Sequence, residues 1–345
     1  MSEREASRYD RQARFAPLGV EGQRKLESSR ALVCGCGALG SVAAETLVRA
    51  GVGFVRVVDR DFVELNNLQR QVLYDEQDVA DALPKAVAAA AKLRRINSSV
   101  TVEPVVADVT YRNIAELAGD VDVIVDGTDN FATRMLVNDF AVDGKTPWVY
   151  GGCIGAEGQT MTILPGETAC LACLMPDVPP PGTTPTCDTA GVLGSIVGVV
   201  ASIEACEALK ILSGHREAVN RKLTIIDLWE NEIRRVDLGR LRESGGCRVC
   251  GHREFAWLSG EKGGGQAVLC GRNAVQISAA EGAAVSLEEL ATRLAGVGRV
   301  ERNPFLLRLA VDGYVLTVFP DGRTIVGGTD DVATARTVHA RYVGA

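Results

Sequence analysis

Short apolar runs separated by helical periods organise the first two thirds of this chain. The runs Ala31–Cys34, Phe54–Val58, Val100–Val106 and Val121–Val125 are apolar on both faces, the pattern of strands buried in a parallel sheet. Helices are predicted at Gly19–Ser28, Pro84–Ile96, Asn113–Ala118 and Phe131–Val142, between or beside those runs. The sheet continues through Trp148–Tyr150, and Gln159–Leu164 alternates as a further strand. Gly191–Leu212 is an apolar helix whose weakly polar part is too short to span a bilayer and leads into Glu204, so it is expected in the core. The pattern predicts an α/β fold with a Rossmann-like doubly wound, mostly parallel sheet.

Beyond residue 258 the pattern changes. A Gly-rich linker at 259–265 separates a main domain, residues 1–258, from residues 266–345. In the tail, strands are expected at Ala274–Ser278 and Phe305–Leu309, with a helix at Ser286–Leu294 capped by Ser286. A hairpin joins Tyr314–Phe319 to Arg323–Val326 through Pro320-Asp321-Gly322, and a closing helix runs over Thr329–Val343. These elements make a small C-terminal α+β domain.

Candidate chemistry begins with the G-x-G-x-x-G turn of Gly35, Gly37 and Gly40, set between the first strand and a helix. Gly35 permits the tight turn, Gly37 lets backbone amides approach phosphate oxygens, and Gly40 lets the helix lie close on the strand. The helix N-terminus offers unpaired N–H groups to an anion. Asp59 closes the second strand, where a carboxylate accepts from ribose hydroxyls. The turn by itself does not separate NAD, FAD and ATP.

The loop Arg60–Tyr74 crowds Asn66, Asn67, Gln69, Arg70 and Gln71 together. It either holds Arg70 and the Asn amides over a triphosphate or is a surface loop. Lys85 stands in a first helical turn, where a cation opposes the helix dipole unless an anion is near or the side chain is simply exposed. Asp126 and Asp129 follow the fourth strand and offer hard oxygens to Mg2+; the alternative is that Asp129 or Asn130 caps the next helix. At the N-terminus, Arg8-Tyr9-Asp10-Arg11-Gln12 reads as a solvated leader, or as an arm that carries Arg11 to a neighbouring subunit.

Two C-x-x-C pairs, Cys170 with Cys173 and Cys247 with Cys250, form the ligand set of a structural Zn2+ site that ties the segment after residue 240 to the main domain. A redox C-x-x-C needs only one pair. Cys187 follows the Pro-rich stretch Pro176–Pro185, just before the apolar helix, and is a candidate covalent participant. Cys34, Cys36, Cys153 and Cys206 are expected to be inert packing.

Composition adds limits. The 345 residues are 46% hydrophobic and 23% charged, enough chain for one large and one smaller domain. A net charge of −7 gives no electrostatic reason to expect nucleic acid or an anionic membrane as partner. The first thirty residues lack an apolar h-region, so no secretory signal and a cytoplasmic location are expected.

Taken in order over residues 7–255, RYDRQ, GCGALG, VDRDFVELNNLQRQ, PKA, DGTDN and the cysteine pairs resemble the ThiF/MoeB/HesA family, related to ubiquitin-activating enzymes. The resemblance implies the ubiquitin-activating adenylation fold and a pocket for ATP with Mg2+. It implies adenylation of the C-terminal glycine of a small ubiquitin-like or sulfur-carrier protein ending in Gly-Gly, with release of pyrophosphate. The activated carrier then serves sulfur transfer, of the molybdopterin, thiamine or tRNA-thiolation type, or conjugation. The nucleotide-binding set it implies is Gly35, Gly37, Gly40, Asp59, Asn67, Arg70, Lys85, Asp129 and Asn130, with Asp129 on Mg2+. Arg11 would reach the triphosphate of the other subunit in a homodimer. Cys187 matches a crossover-loop cysteine that is covalent in some members and dispensable in others.

Two features depart from the family pattern. Ala82 stands where relatives usually carry glycine, and residues 266–345 lack the cysteine-centred loop of a rhodanese domain. A dinucleotide-dependent oxidoreductase would leave Arg70, Lys85, the Zn2+ site and Cys187 without work. A non-catalytic carrier-binding scaffold would be expected to lack Arg11, Arg70, Lys85 or Asp129.

Overall fold

A computed structural model describes residues 3–179, 187–262, 267–269, 273–277 and 284–344. The chain divides into two compact units, Met1–Val178 with Val192–Gly263, and Pro179–Gly191 with Gly264–Ala345.

The larger unit is built on eight strands: β1 (Arg30–Cys34), β2 (Phe54–Val58), β3 (Thr101–Val105), β4 (Val123–Asp126), β5 (Trp148–Ile154), β6 (Glu157–Ile163), β7 (Leu223–Asp227) and β8 (Glu232–Val236). Their order is β3-β2-β1-β4-β5-β6-β7-β8; the first five are parallel and the last three antiparallel. Alternate residues of each central strand serve opposite cores. Val33, Val55, Val57, Val123 and Val125 join one cluster with Leu47, Ala89 and Leu93, while Leu32, Cys34, Val58 and Ile124 join another with Leu136 and Trp148. This double-sided burial is why the runs read as continuously apolar.

Strand register positions the site. Cys34 pairs with Val58 on one side and Asp126 on the other, so Gly35, Asp59 and Gly127 leave the sheet at the same level. That is the carboxyl edge where the chain turns from β1 outward in both directions, the place where ligands bind in such sheets.

The N-terminal segment is not a solvated leader. Glu3–Ala13 is a helix whose Tyr9 is buried against Gly51, its hydroxyl accepting from Asn97 Nδ2 at 2.8 Å. Gln12 Nε2 donates to Gln23 Oε1 at 2.7 Å and to the Ala50 carbonyl at 2.9 Å. Strands β7 and β8 were not foreseen, and β8, EIRRV, is exposed throughout, so it carries no apolar signature. Among the described residues, no helix is long and apolar enough to cross a membrane.

The smaller unit holds an antiparallel sheet of β9 (Ala267–Leu269), β10 (Ala274–Ile277), β11 (Arg299–Arg302), β12 (Leu307–Val311), β13 (Tyr314–Val318) and β14 (Thr324–Gly327). The order is β11-β12-β13-β14-β10-β9. Leu287–Leu294 and Val332–Tyr342 are helices whose Leu290, Leu294, Ala335 and Val338 pack with Leu309, Leu316 and Val326. Ser286 Oγ accepts from Glu289 N at 3.3 Å, as its capping pattern predicts. The last helix starts later than expected, because Asp331 caps it at Thr334 N (2.7 Å) and Thr329 Oγ1 accepts from Asp331 N. The charged strand β11 and the short β9 were also unforeseen.

Candidate active site

The glycine turn is locked by the loop after β4. Gly35 has φ +86°, and a Cβ there would stand 2.6 Å from the Gly127 carbonyl oxygen. A Cβ at position 40 would stand 1.9 Å from the Gly35 oxygen, and one at position 127 would stand 2.2 Å from that same atom. These three glycines are required by close backbone approach. Gly37 differs: a Cβ there meets nothing nearer than Gln71 Nε2 at 3.8 Å. Helix Ala38–Ala50 begins at Gly37 with no side-chain cap, so its first amides have no side-chain partner. Gln71 is buried, and its Oε1 has no hydrogen-bond partner. An open cradle, an uncapped helix N-terminus and an unpaired buried amide together fit the phosphates and sugar of a nucleotide.

Asp59 stabilises this turn directly. Its Oδ2 accepts from Cys36 N at 2.7 Å and its Oδ1 from Asp61 N at 2.7 Å. Burial raises its pKa; the Lys85 ammonium opposes that and Asp61 adds to it. Each oxygen retains a lone pair for a further donor.

Lys85 opens helix Lys85–Ile96 and is 3% exposed. Its Nζ lies 3.4 Å from Asp61 Oδ2, so the sequence conflict between a cation and the helix dipole is met by a partner carboxylate. Asn67 is buried in a short 3₁₀ turn, Leu65–Asn67, where its Oδ1 accepts from Glu64 N and its Nδ2 donates to Asn66 Oδ1. Arg70 is half-buried and donates to the Asn66 carbonyl at 2.8 Å. Arg60 sits 3.2 Å from Asp108. Burial opposes its charge, but Asp108, Asp61 and Asp129 hold its pKa above the ordinary value.

The segment after β4 resolves the capping question. Asn130 Oδ1 accepts from Thr133 N at 2.8 Å and is the N-cap of helix Phe131–Gly144, while Asp129 is exposed. Asp126 is buried and paired with Arg134, its Oδ2 3.0 Å from Arg134 Nε. Its Oδ1 accepts from Thr128 N and Thr128 Oγ1. It therefore belongs to the framework and leaves Asp129 as the outward carboxylate.

Arg11 is exposed on the N-terminal helix. Cys187 opens a four-residue helix, Cys187–Ala190, and its side chain lies outside the described residues. Cys34 and Cys36 are buried as expected, Cys153 is half-buried, and Cys206 is exposed rather than packed, on the outer face of its helix.

Cys170, Cys173, Cys247 and Cys250 bring their four sulfurs within 4.8 Å of one another. The separations of 3.8, 3.7 and 3.3 Å between named pairs suit a tetrahedron of ~2.3 Å metal–sulfur bonds, whose edges are about 3.8 Å.

The sequence profile of the ThiF family matches residues 9–249. This chain belongs to the ThiF family. The sulfur carrier protein ThiS adenylyltransferase of Bacillus subtilis is 46% identical to this ThiF-family chain over 338 residues, 98% of this chain and 99% of that one. The SAMP-activating enzyme E1 of Haloferax volcanii is 43% identical over 244 residues, 71% of this chain and 88% of its own. Among solved structures, E. coli MccB with ATP matches the fold with a TM-score of 0.61 at 24% identity, over 71% of this chain and 74% of that one.

Arg134, Gly127 and Asp61 were not singled out from the sequence as site residues. Their signals are weak: Arg134 lies eight residues beyond Asp126, a spacing that becomes a contact only because a helix turns back over the strand end.

Proposed function

We propose that this ThiF-family protein is an ATP-dependent adenylyltransferase that activates the C-terminal glycine of a small sulfur-carrier protein ending in Gly-Gly. The carboxylate of that glycine attacks the α-phosphorus of ATP, giving the acyl-adenylate and pyrophosphate. The observation that carries this reading is that the glycine turn with its uncapped helix and the Asp129 loop follow the paired strand ends Cys34 and Asp126, while Tyr74, bonded to the Cys36 and Lys85 carbonyls, ties the buried Lys85 to the same turn, within a family of carrier-activating enzymes. The match to the B. subtilis relative covers 98% of this chain and so takes in most of residues 266–345, which favours sulfur transfer over conjugation.

A carboxylate is a weak nucleophile, so the barrier falls by in-line positioning and by neutralising charge that develops on the phosphates. The first amides of helix Ala38–Ala50, Asn67, Arg70 and Lys85 hold the phosphates, and Asp59 takes the ribose. Asp129, with Asn130 fixing the turn beside it, holds Mg2+, whose charge offsets that of the triphosphate. Arg11 completes the site of the other protomer in a homodimer. No general base is needed, and Cys187 acts after adenylation. The four cysteines hold Zn2+, which fastens the segment around Cys247 to that around Cys170.

The test is ATP–pyrophosphate exchange with the purified chain and a carrier ending in Gly-Gly. Exchange that requires the carrier supports the reading. Carrier binding without exchange would make the protein a scaffold, and a metabolite-dependent change in NADH absorbance would make it an oxidoreductase.

A further inference from the structure

Arg134 has no part in the chemistry above, yet it ties the end of β4 and the loop after it to β5. It lies in the first turns of helix Phe131–Gly144 and is 7% exposed. Its Nε donates to Asp126 Oδ2 at 3.0 Å, and its Nη2 donates to the carbonyls of Thr128 at 2.7 Å and Gly151 at 2.8 Å. Asp126 Oδ1 in turn accepts from the Thr128 N–H at 2.9 Å and from Thr128 Oγ1 at 2.7 Å. Thr128 is thus held at its amide, its hydroxyl and its carbonyl by the two members of one ion pair. On the other side of Asp129, Asn130 is fixed by its cap to Thr133 N. Asp129 stands exposed between two anchored neighbours.

A buried ion pair is weak evidence for stability, because desolvating both charges offsets their attraction. It is well suited to fixing geometry. Glu204 bears on the same point: fully buried, with neither carboxyl oxygen hydrogen-bonded, it lies against Gly151. Burial first and the Asp126 charge second push its pKa well up, and the Arg134 charge opposes that.

We propose that the Asp126–Arg134 pair, acting through Thr128, is the positioning unit that sets the Asp129 carboxylate for the Mg2+ of the bound nucleotide. This rests on the assignment of Asp129 made above. Arg134 and Asp126 do not touch the reacting atoms; they fix where Asp129 begins. Supporting groups of this kind change metal affinity by about 10- to 100-fold when removed.

The experiment is calorimetric titration of the full chain with ATP, in EDTA and over a series of Mg2+ concentrations, with a thermal melt of each variant. Thr128→Val and Arg134→Lys keep the metal-free ATP affinity and lose about tenfold of the Mg2+-dependent gain, the gain that Asp129→Asn also loses. Thr128→Ser, which restores the hydroxyl, restores the gain. If Asp129→Asn loses the gain while Thr128→Val keeps it, the positioning role is wrong and the Asp129 assignment stands. If Asp129→Asn keeps the gain, the assignment falls and the proposal with it. Should Arg134→Lys fail to fold, Thr128→Val decides alone.

Discussion

Lys85 and Asp61 are joined twice: the ammonium lies 3.4 Å from Asp61 Oδ2, and the Lys85 backbone N–H donates to the Asp61 carbonyl at 2.8 Å. The carboxylate holds the cation at the first turn of its helix, ready for a phosphate to share. Lys85→Met should therefore lower pyrophosphate exchange by about 100-fold at saturating ATP, the scale of one lost electrostatic group. Asp61→Asn removes the ion pair and keeps the ammonium, so its loss should stay within about tenfold. Equal losses in steady-state assays would contradict this division.

Gly37 and Gly40 should respond in opposite ways to alanine. A methyl at position 40 would collide with the Gly35 carbonyl, whereas one at position 37 has 3.8 Å to its nearest neighbour. Gly37→Ala is expected to melt within a few degrees of wild type and to lose most ATP affinity. Gly40→Ala is expected to lose stability first. Melting curves paired with ATP titration separate the two.

Ala82 adopts φ +48°, a left-handed conformation that costs an alanine about 1 kcal/mol. That explains why a glycine suits this position. Ala82→Gly should raise stability by about 0.5–1 kcal/mol in urea unfolding, with exchange unchanged. A loss of stability would mean that the left-handed turn does not set this preference.

Glu204 makes stability depend on pH. Its folded pKa is raised well above 4.5 by burial and then by Asp126, so its contribution is complete below pH 4.5 and declines as pH rises from there. Glu204→Gln does not titrate. As pH rises above 4.5 the wild type should therefore fall in Tm relative to Glu204→Gln. Parallel Tm curves would show that Glu204 is not held neutral.

Much of this was legible in the sequence, for identifiable reasons. Strands β1 to β4 sit between two helical layers, so Ala31–Cys34 and Phe54–Val58 had to be apolar on both faces. The glycine turn and the cysteine pairs are local patterns with local causes. What escaped depended on distant partners. The N-terminal helix is held by Tyr9 and Asn97, 88 residues apart, and nothing in RYDRQ alone announces that anchor. Strand β8 lies exposed at the sheet edge, where EIRRV needs no apolar face. Asp126 and Asp129 look alike in the chain; only the buried Arg134 distinguishes them.

The most direct test of carrier adenylation is the intact mass of a carrier ending in Gly-Gly after brief incubation with this protein, ATP and Mg2+. The carrier should gain the mass of one AMP group at its C-terminal glycine, and a carrier lacking that glycine should gain nothing. ATP binding with no AMP on the carrier, or AMP on both carriers alike, would contradict the account.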